Sequence, residues 1–283
     1  MRETAGEPCT AVRREGTTSD RAKVYGSGPG HRGAKAKSTL REYVEAIGVA
    51  ILLALVIRTF IVQAFKIPSG SMIPTLQIGD HILVNKFRYG PRFEVPLTNF
   101  SFGRLPGIAR PARGDVVVFV YPQDQSKDFI KRIVGLPGDI IEIRNRQVFI
   151  NGELYDDPHA HFIGGRPQVT RGHLGPLYIA RAGDRLEVSD GHLRVNGTSL
   201  PLPERDVFLE RYGSLLSGQD PAPITVAEDF YFVMGDNRDN SQDSRVWGPV
   251  GEGALKGKAF VIYWSWDGGG RWVRWERLGS WIR

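Results

Sequence analysis

Four times in this chain a Gly-Asp pair stands just before a short apolar run: Gly79-Asp80, Gly114-Asp115, Gly138-Asp139 and Gly183-Asp184. Glycine supplies the positive φ of a tight turn and aspartate bonds to nearby main chain, so each pair reads as a turn that opens a strand. The runs themselves are short and β-branched or aromatic: HILVNKF (81–87), DVVVFVY (115–121), FIKRIVGL (129–136), IIEI (140–143), QVFI (147–150) and FYFVM (230–234). Asn151-Gly152 and Asn196-Gly197 mark hairpin turns. With 34 glycines and 18 prolines, this punctuation predicts a mainly β protein built on an antiparallel sheet. GDIIEIRNRQVFING (138–152) also aligns without gaps on GDRLEVSDGHLRVNG (183–197). Two copies make a reused hairpin pattern, not a repeat array.

Residues 1–42 are polar and rich in Gly, Ser, Thr, Arg and Lys, and read as a basic, disordered tail. From Tyr43 to Phe65 the text turns apolar, YVEAIGVAILLALVIRTFIVQAF. Its uninterrupted part, Ala46 to Ile57, is twelve residues long and ends at Arg58. A lipid span takes about 20 residues, and a core of about 10–14 also suits a buried helix. Glu45 and Arg58 flank that core, and Arg58 can snorkel toward headgroups. The segment is read as one transmembrane helix over 43–63, with IVQAF open as its last turn or the first strand. Nine Arg and Lys against five Asp and Glu precede it, which favours a cytoplasmic N-terminus and an extracytoplasmic body. A cleaved signal peptide is the competing reading; the long basic region and the absence of a clean small-x-small site after the core count against it. The body divides into a β-rich core, 64–143 and 226–283, and an inserted second β lobe, 144–225, holding the loop-like DDPHAHFIGG and SGQDPAP.

The formal net charge of +6 would suit nucleic acid or anionic lipid. The basic residues are scattered and form no recognition-helix or zinc-finger pattern, so no nucleic-acid partner is expected. Cys9 is the one cysteine, which rules out a disulfide framework or a Cys-based metal site. The want of disulfides does not place the chain in the cytosol.

Three polar stretches can carry chemistry. In IPSGSMIPTL (67–76), Ser69 and Ser71 are either turn residues or include a nucleophile. In DFIKRIVGLPGD, strand alternation puts Lys131 on the same face as Phe129 and Ile133. Burial there would lower its pKa and free a neutral base; the other reading is a strand-edge lysine that deters aggregation. A serine hydroxyl needs a base within reach, none of the six histidines sits in a compact motif with either serine, and no Gly-x-Ser-x-Gly elbow exists. A Ser-Lys pair remains. GDNRDNSQDSR (235–245) looks like a calcium loop but fails its register, with Trp247 where a bidentate Glu is needed. It reads better as an ionic network of Asp236, Asp239 and Asp243 with Arg238 and Arg245. His159 and His161 beside Asp156 and Asp157 are a weak metal signal, and no cofactor is expected. At the C-terminal end, Trp264, Trp266, Trp272, Trp275 and Trp281 interleave with Arg271, Arg274, Arg277 and Arg283, which suits either sheet packing or a membrane interface.

SMIPT, KRIVGLPGD and GDNRDNSQDSR, in this order behind an apolar segment, resemble the three motifs of bacterial type I signal peptidase, a membrane-anchored serine endopeptidase. The agreement runs from about Val44 to the C-terminus. The resemblance implies Ser71 as nucleophile and Lys131 as general base. It implies an oxyanion hole from the Ser69 hydroxyl and the Ser71 N–H, and Ser241 orienting the amine. Asp243 and Arg245 would form a supporting salt-bridged network, with Asp236 close by. Ile67, Pro68, Met72, Leu76, Phe129 and Ile130 match positions lining the substrate cleft; Phe129 replaces a tyrosine common in relatives. The implied partners are signal peptides cut after a small-x-small site, the bilayer of the inner membrane, and the export channel. Two rivals remain: a Ser-Lys peptidase acting on itself or another substrate, and a silent anchored β-domain that binds exported chains.

Overall fold

The computed structural model describes residues 39–94, 101–163, 173–189, 192–200, 223–269 and 272–283. The tail read over 1–42 lies almost wholly outside the described residues, as does most of 201–225. The chain divides into two compact units, Met1–Ile47 and Gly48–Arg283.

Of the first unit, residues 39–47 are described and form the opening of helix α1 (Thr39–Phe60), with Arg41 bonded to Glu45 one turn on. In the second unit α1 continues to Phe60. The helix is about 33 Å long at 1.5 Å per residue. Its large apolar side chains up to Ile57, among them Ile47, Leu52 and Leu53, are exposed. Among the described residues no helix is long and apolar enough to cross a membrane. Arg41, Glu42 and Glu45 occupy the first turns of α1 and Arg58 its last. The helix also stops short of residue 63, because VQAFK is already strand.

The strands begin with β1 (Val62–Lys66), β2 (Asp80–Asn85), β3 (Arg92–Glu94), β4 (Ser101–Arg104), β5 (Val116–Val120) and β6 (Asp128–Gly135). Next come β7 (Ile140–Arg144), β8 (Gln147–Ile150), β9 (Glu153–Tyr155), β10 (Leu174–Tyr178), β11 (Arg185–Ser189), β12 (His192–Val195), β13 (Thr198–Ser199) and β14 (Ile224–Thr225). The last are β15 (Phe230–Met234), β16 (Val250–Gly251), β17 (Leu255–Asp267) and β18 (Trp272–Val273). The main sheet runs β1-β2-β17-β5-β6-β15-β16, with β18 beside β17, and its pairings are antiparallel. Two four-stranded sheets, β10-β7-β8-β9 and β13-β12-β11-β14, are inserted between β6 and β15. The architecture is mainly β and antiparallel, as the sequence predicts.

The Gly-Asp pairs behave as one device used four times. Asp80, Asp115, Asp139 and Asp184 each accept, on Oδ2, the main-chain N–H of the residue three before, at 2.7–3.0 Å. The glycines between have φ of +85° to +94°, which costs glycine little. The internal echo holds at the level of single bonds. Asn151 Oδ1 accepts from Ile140 N and its Nδ2 donates to Asp139; Asn196 does the same with Arg185 N and Asp184. An asparagine at the hairpin turn thus ties each strand pair back to the aspartate that opened it.

Alternation along β5 and β6 feeds two cores. Val116, Val118 and Ile130 pack with Ile67, Met72, Leu76, Ile82 and Val84. Val117, Phe119 and Ile133 pack with Tyr89, Tyr231, Val233 and Trp247, and Phe129 leans on this cluster.

Candidate active site

Ser71 lies in the turn after β1, and Lys131 lies on β6, flanked by β5 and β15. Lys131 is 4% exposed, so the reading of a solvated edge lysine is set aside. The pairing of β6 with β15 ends at Arg132 opposite Met234, so residues 128–131 have β5 on one side and no strand on the other.

Lys131 Nζ donates to Ser71 Oγ at 2.7 Å and to the Ile130 carbonyl at 2.9 Å. Lys131 is 4% and Ser71 8% exposed. Burial pulls the lysine down to about 8, against the opposing pull of Asp243 and Asp236. The Phe129 ring, 5.6 Å from Nζ, forms part of its dry surroundings. A neutral amine with one N–H fixed on Ile130 O can turn its lone pair to the serine hydroxyl.

Ser69 Oγ is exposed at the rim, 3.5 Å from Ser71 Oγ. The Ser71 N–H has no partner among the described residues. Asn237 grips this turn by its main-chain N–H on Ser71 O (3.1 Å) and its Nδ2 on Gly70 O (3.3 Å). Gly235 lies so close that a Cβ there would come within 2.5 Å of Ser71 O and 2.3 Å of Ser241 Oγ.

The ionic network is buried and fully directional. Arg132, next to Lys131 in sequence, makes a two-pronged pair with Asp236 at 2.8 Å, both side chains 1% exposed. Thr75 Oγ1 donates to the same carboxylate at 2.6 Å. Asp236 therefore couples the Ser71 turn, through Thr75, to the Lys131 strand, through Arg132. Asp243 accepts two side-chain bonds and the main-chain N–H of Arg245, and one bond from Gly235 N. Burial alone would raise its carboxyl, but Arg245 and these bonds hold it below the usual range. From the inserted sheets, Asp157 pairs with Arg238, His161 exchanges main-chain bonds with Asp236 and Arg238, and Arg146 binds Asp239.

Two expectations need correction. Ser241 Oγ is buried over Gly235, beside Asp243, and has no bond to Lys131, so the amine is oriented by Ile130 O instead. Met72 and Leu76 are 0% exposed and Ile67 2%, which places them in the core behind the site. Pro68 and half-buried Phe129 line open surface, and Ile130 is 9% exposed. Among the described residues no three His, Cys, Asp or Glu converge. Asn237, Thr75, Arg132 and Asp157 belong to the site but were given no role in it by the sequence. Only the first three had a signal, since they lie inside or beside the three motifs.

A mainly antiparallel β fold with a serine hydroxyl on a buried lysine amine defines a serine endopeptidase class rather than a metallo- or cysteine enzyme. The family model described as signal peptidase, peptidase S26, matches residues 40–174 and 178–264, and the chain belongs to that family. It is similar to a signal peptidase I of Pseudomonas fluorescens, 37% identical over 238 residues, covering 80% of this chain and 73% of that protein. A signal peptidase I of Pseudomonas aeruginosa is 36% identical with the same coverage. One of Aquifex aeolicus is 34% identical over 248 residues, 80% of this chain and 85% of that protein.

Proposed function

We propose that this chain is a signal peptidase I that removes N-terminal signal peptides from exported preproteins by acyl transfer from a Ser71–Lys131 dyad. The observation that carries the reading is the 2.7 Å contact between a buried, weakly basic Lys131 amine and Ser71 Oγ. Neutral Lys131 takes the Ser71 proton as Oγ attacks the scissile carbonyl. The oxyanion forms between the Ser71 N–H and the Ser69 hydroxyl. Lys131, now an ammonium, protonates the leaving amine, and the acyl-enzyme remains on Ser71. Lys131 then deprotonates a water that releases the acid.

The substrate adds as an extended strand along the uncovered edge of residues 128–131, with Pro68 and Ser69 on its other side. The buried core side chains Ile67, Met72 and Leu76 back this edge, and shallow apolar subsites there would favour an Ala-x-Ala-like site. Asp236, Asp243 and Arg245 hold the loop rigid, and the two inserted sheets, read as one lobe, brace it.

The chain is anchored in the inner membrane by α1, N-terminus inside and β body outside. A helix with apolar side chains bare on every side favours lipid as their cover. Exposed Trp266, Trp272, Trp275 and Trp281 suit an interface beside it. The bilayer and the export channel are the partners this position implies. The test is to incubate purified full chain in detergent with a preprotein and read the new N-terminus by mass spectrometry. Cleavage after a small-x-small site is expected; intact substrate would favour a silent binder or a peptidase with another substrate.

A further inference from the structure

A cavity of about 460 Å³ opens on the main sheet away from Ser71. That size falls in the range of small-ligand sites, about 300–1,000 Å³. Its walls include Arg88, Lys258 and Arg283, with Asn85, Phe260 and Trp281, and no acidic side chain lines it. Lys258 shares its charge with Asp115 behind the wall. Arg88 Nε is buried and lacks a hydrogen-bond partner. Arg283 lines the cavity and is exposed, with its main-chain oxygen held by Arg132. Two arginines with no carboxylate partner among the described residues therefore line one space with Lys258, a set of donors that suits the oxygens of a phosphate.

The position of the cavity says where that phosphate comes from. Asn85 is paired on one side with Val62, two residues beyond the end of α1, and on the other with Lys258. The cavity thus sits on the row of the sheet that the helix enters. Trp281, 70% exposed, stands at its mouth with the Phe260 ring 6.1 Å away. We propose that this cavity binds the phosphate of an anionic lipid headgroup, with the glycerol and acyl chains leaving over Phe260 and Trp281. The proposal rests on the membrane-anchored reading of α1. A soluble phosphate ester shares the chemistry but needs neither the helix end nor the aromatic mouth.

The test uses full chain in detergent micelles, with bound lipid counted by native mass spectrometry. Phosphatidylglycerol, phosphatidylcholine of the same acyl chains, and glycerol 1-phosphate serve as probes. One phosphatidylglycerol per chain is expected, with little phosphatidylcholine and weak displacement by glycerol 1-phosphate. Arg88→Gln and Arg283→Gln should each weaken retention by about 10-fold, the scale of one charge-assisted bond. Both variants should cleave preprotein normally in lipid-free detergent, which shows that they fold. Equal retention of the two lipids, unchanged retention in both variants, or glycerol 1-phosphate binding as tightly as the lipid overturns the proposal. Detergent phase partitioning of the full chain is read separately. An aqueous-phase chain overturns the anchored reading and the proposal together, whereas a detergent-phase chain without headgroup preference overturns the proposal alone.

Discussion

Asn237 donates its main-chain N–H to the carbonyl of Ser71, so the loop that follows β15 holds the nucleophile by its backbone. The same loop holds Lys131's neighbour through the Arg132–Asp236 pair. Nucleophile and base arrive from segments 60 residues apart, and one loop from a third segment sets the distance between them.

Gly235 is where that loop passes closest to Ser71. A Cβ there meets the Ser71 carbonyl and the Ser241 hydroxyl at distances no real contact allows, and the carbonyl is main chain that cannot swing aside. Gly235→Ala should lower kcat by about 10²-fold, the usual effect of an ångström of misplacement. Single-turnover cleavage with unchanged near-ultraviolet circular dichroism would check it. A variant with normal kcat would mean that the turn has slack.

Asp236 is buried between Arg132 and Thr75. Asp236→Asn leaves the Arg132 guanidinium without its counter-charge and should destabilise by about 3–5 kcal/mol. The double change Arg132→Met, Asp236→Leu should recover much of that stability while turnover stays low, because the Thr75 link is not restored. Thermal unfolding and turnover, measured on the same samples, separate the two effects. Recovery of both would reduce the pair to packing.

Ser69 meets Ser71 only at the rim, where an oxyanion would develop. Ser69→Ala should cost about 10²–10³-fold in kcat with KM little changed. An equal loss in 1/KM would place Ser69 in substrate binding instead.

Much of this site is legible in the chain's text, and the rest fails for a physical reason. Ser71, Lys131 and the 235–245 loop each sit in a compact local pattern. The Gly-Asp and Asn-Gly turns are equally local, since their hydrogen bonds close within three to twelve residues. Arg132–Asp236 and Arg238–Asp157 join segments 104 and 81 residues apart, and nothing at either end announces the other. Strand β17, which lies between β2 and β5, escapes the period-2 reading because its pairing with β2 shifts register twice. Met72 and Leu76 look like cleft residues beside a reactive serine, but which way a turn faces is decided by the packing of β2 and β5.

Lys131 is held in a place that suits its neutral form. Its folded pKa near 8 lies below the unfolded value of about 10.4, so the folded state pays about 3 kcal/mol to carry the charge. That cost is present in full below pH 8 and fades as pH rises toward 10. Lys131→Met should therefore unfold at higher temperature than the parent chain at pH 6–7, with the gap narrowing above pH 8. A Met variant less stable at pH 6 would show that the amine's two hydrogen bonds outweigh its desolvation.

The Ser71–Lys131 contact is tested most directly by preprotein turnover of the parent chain and Lys131→Ala across pH 6–10. The amine must be neutral to accept the serine proton, so kcat/KM of the parent should rise tenfold per pH unit and level off above about 8. Lys131→Ala should be slower by at least about 10²–10⁴-fold, and its residual rate should lack that limb. Turnover near the parent's, or a limb at pH 8 that survives the substitution, would contradict the dyad.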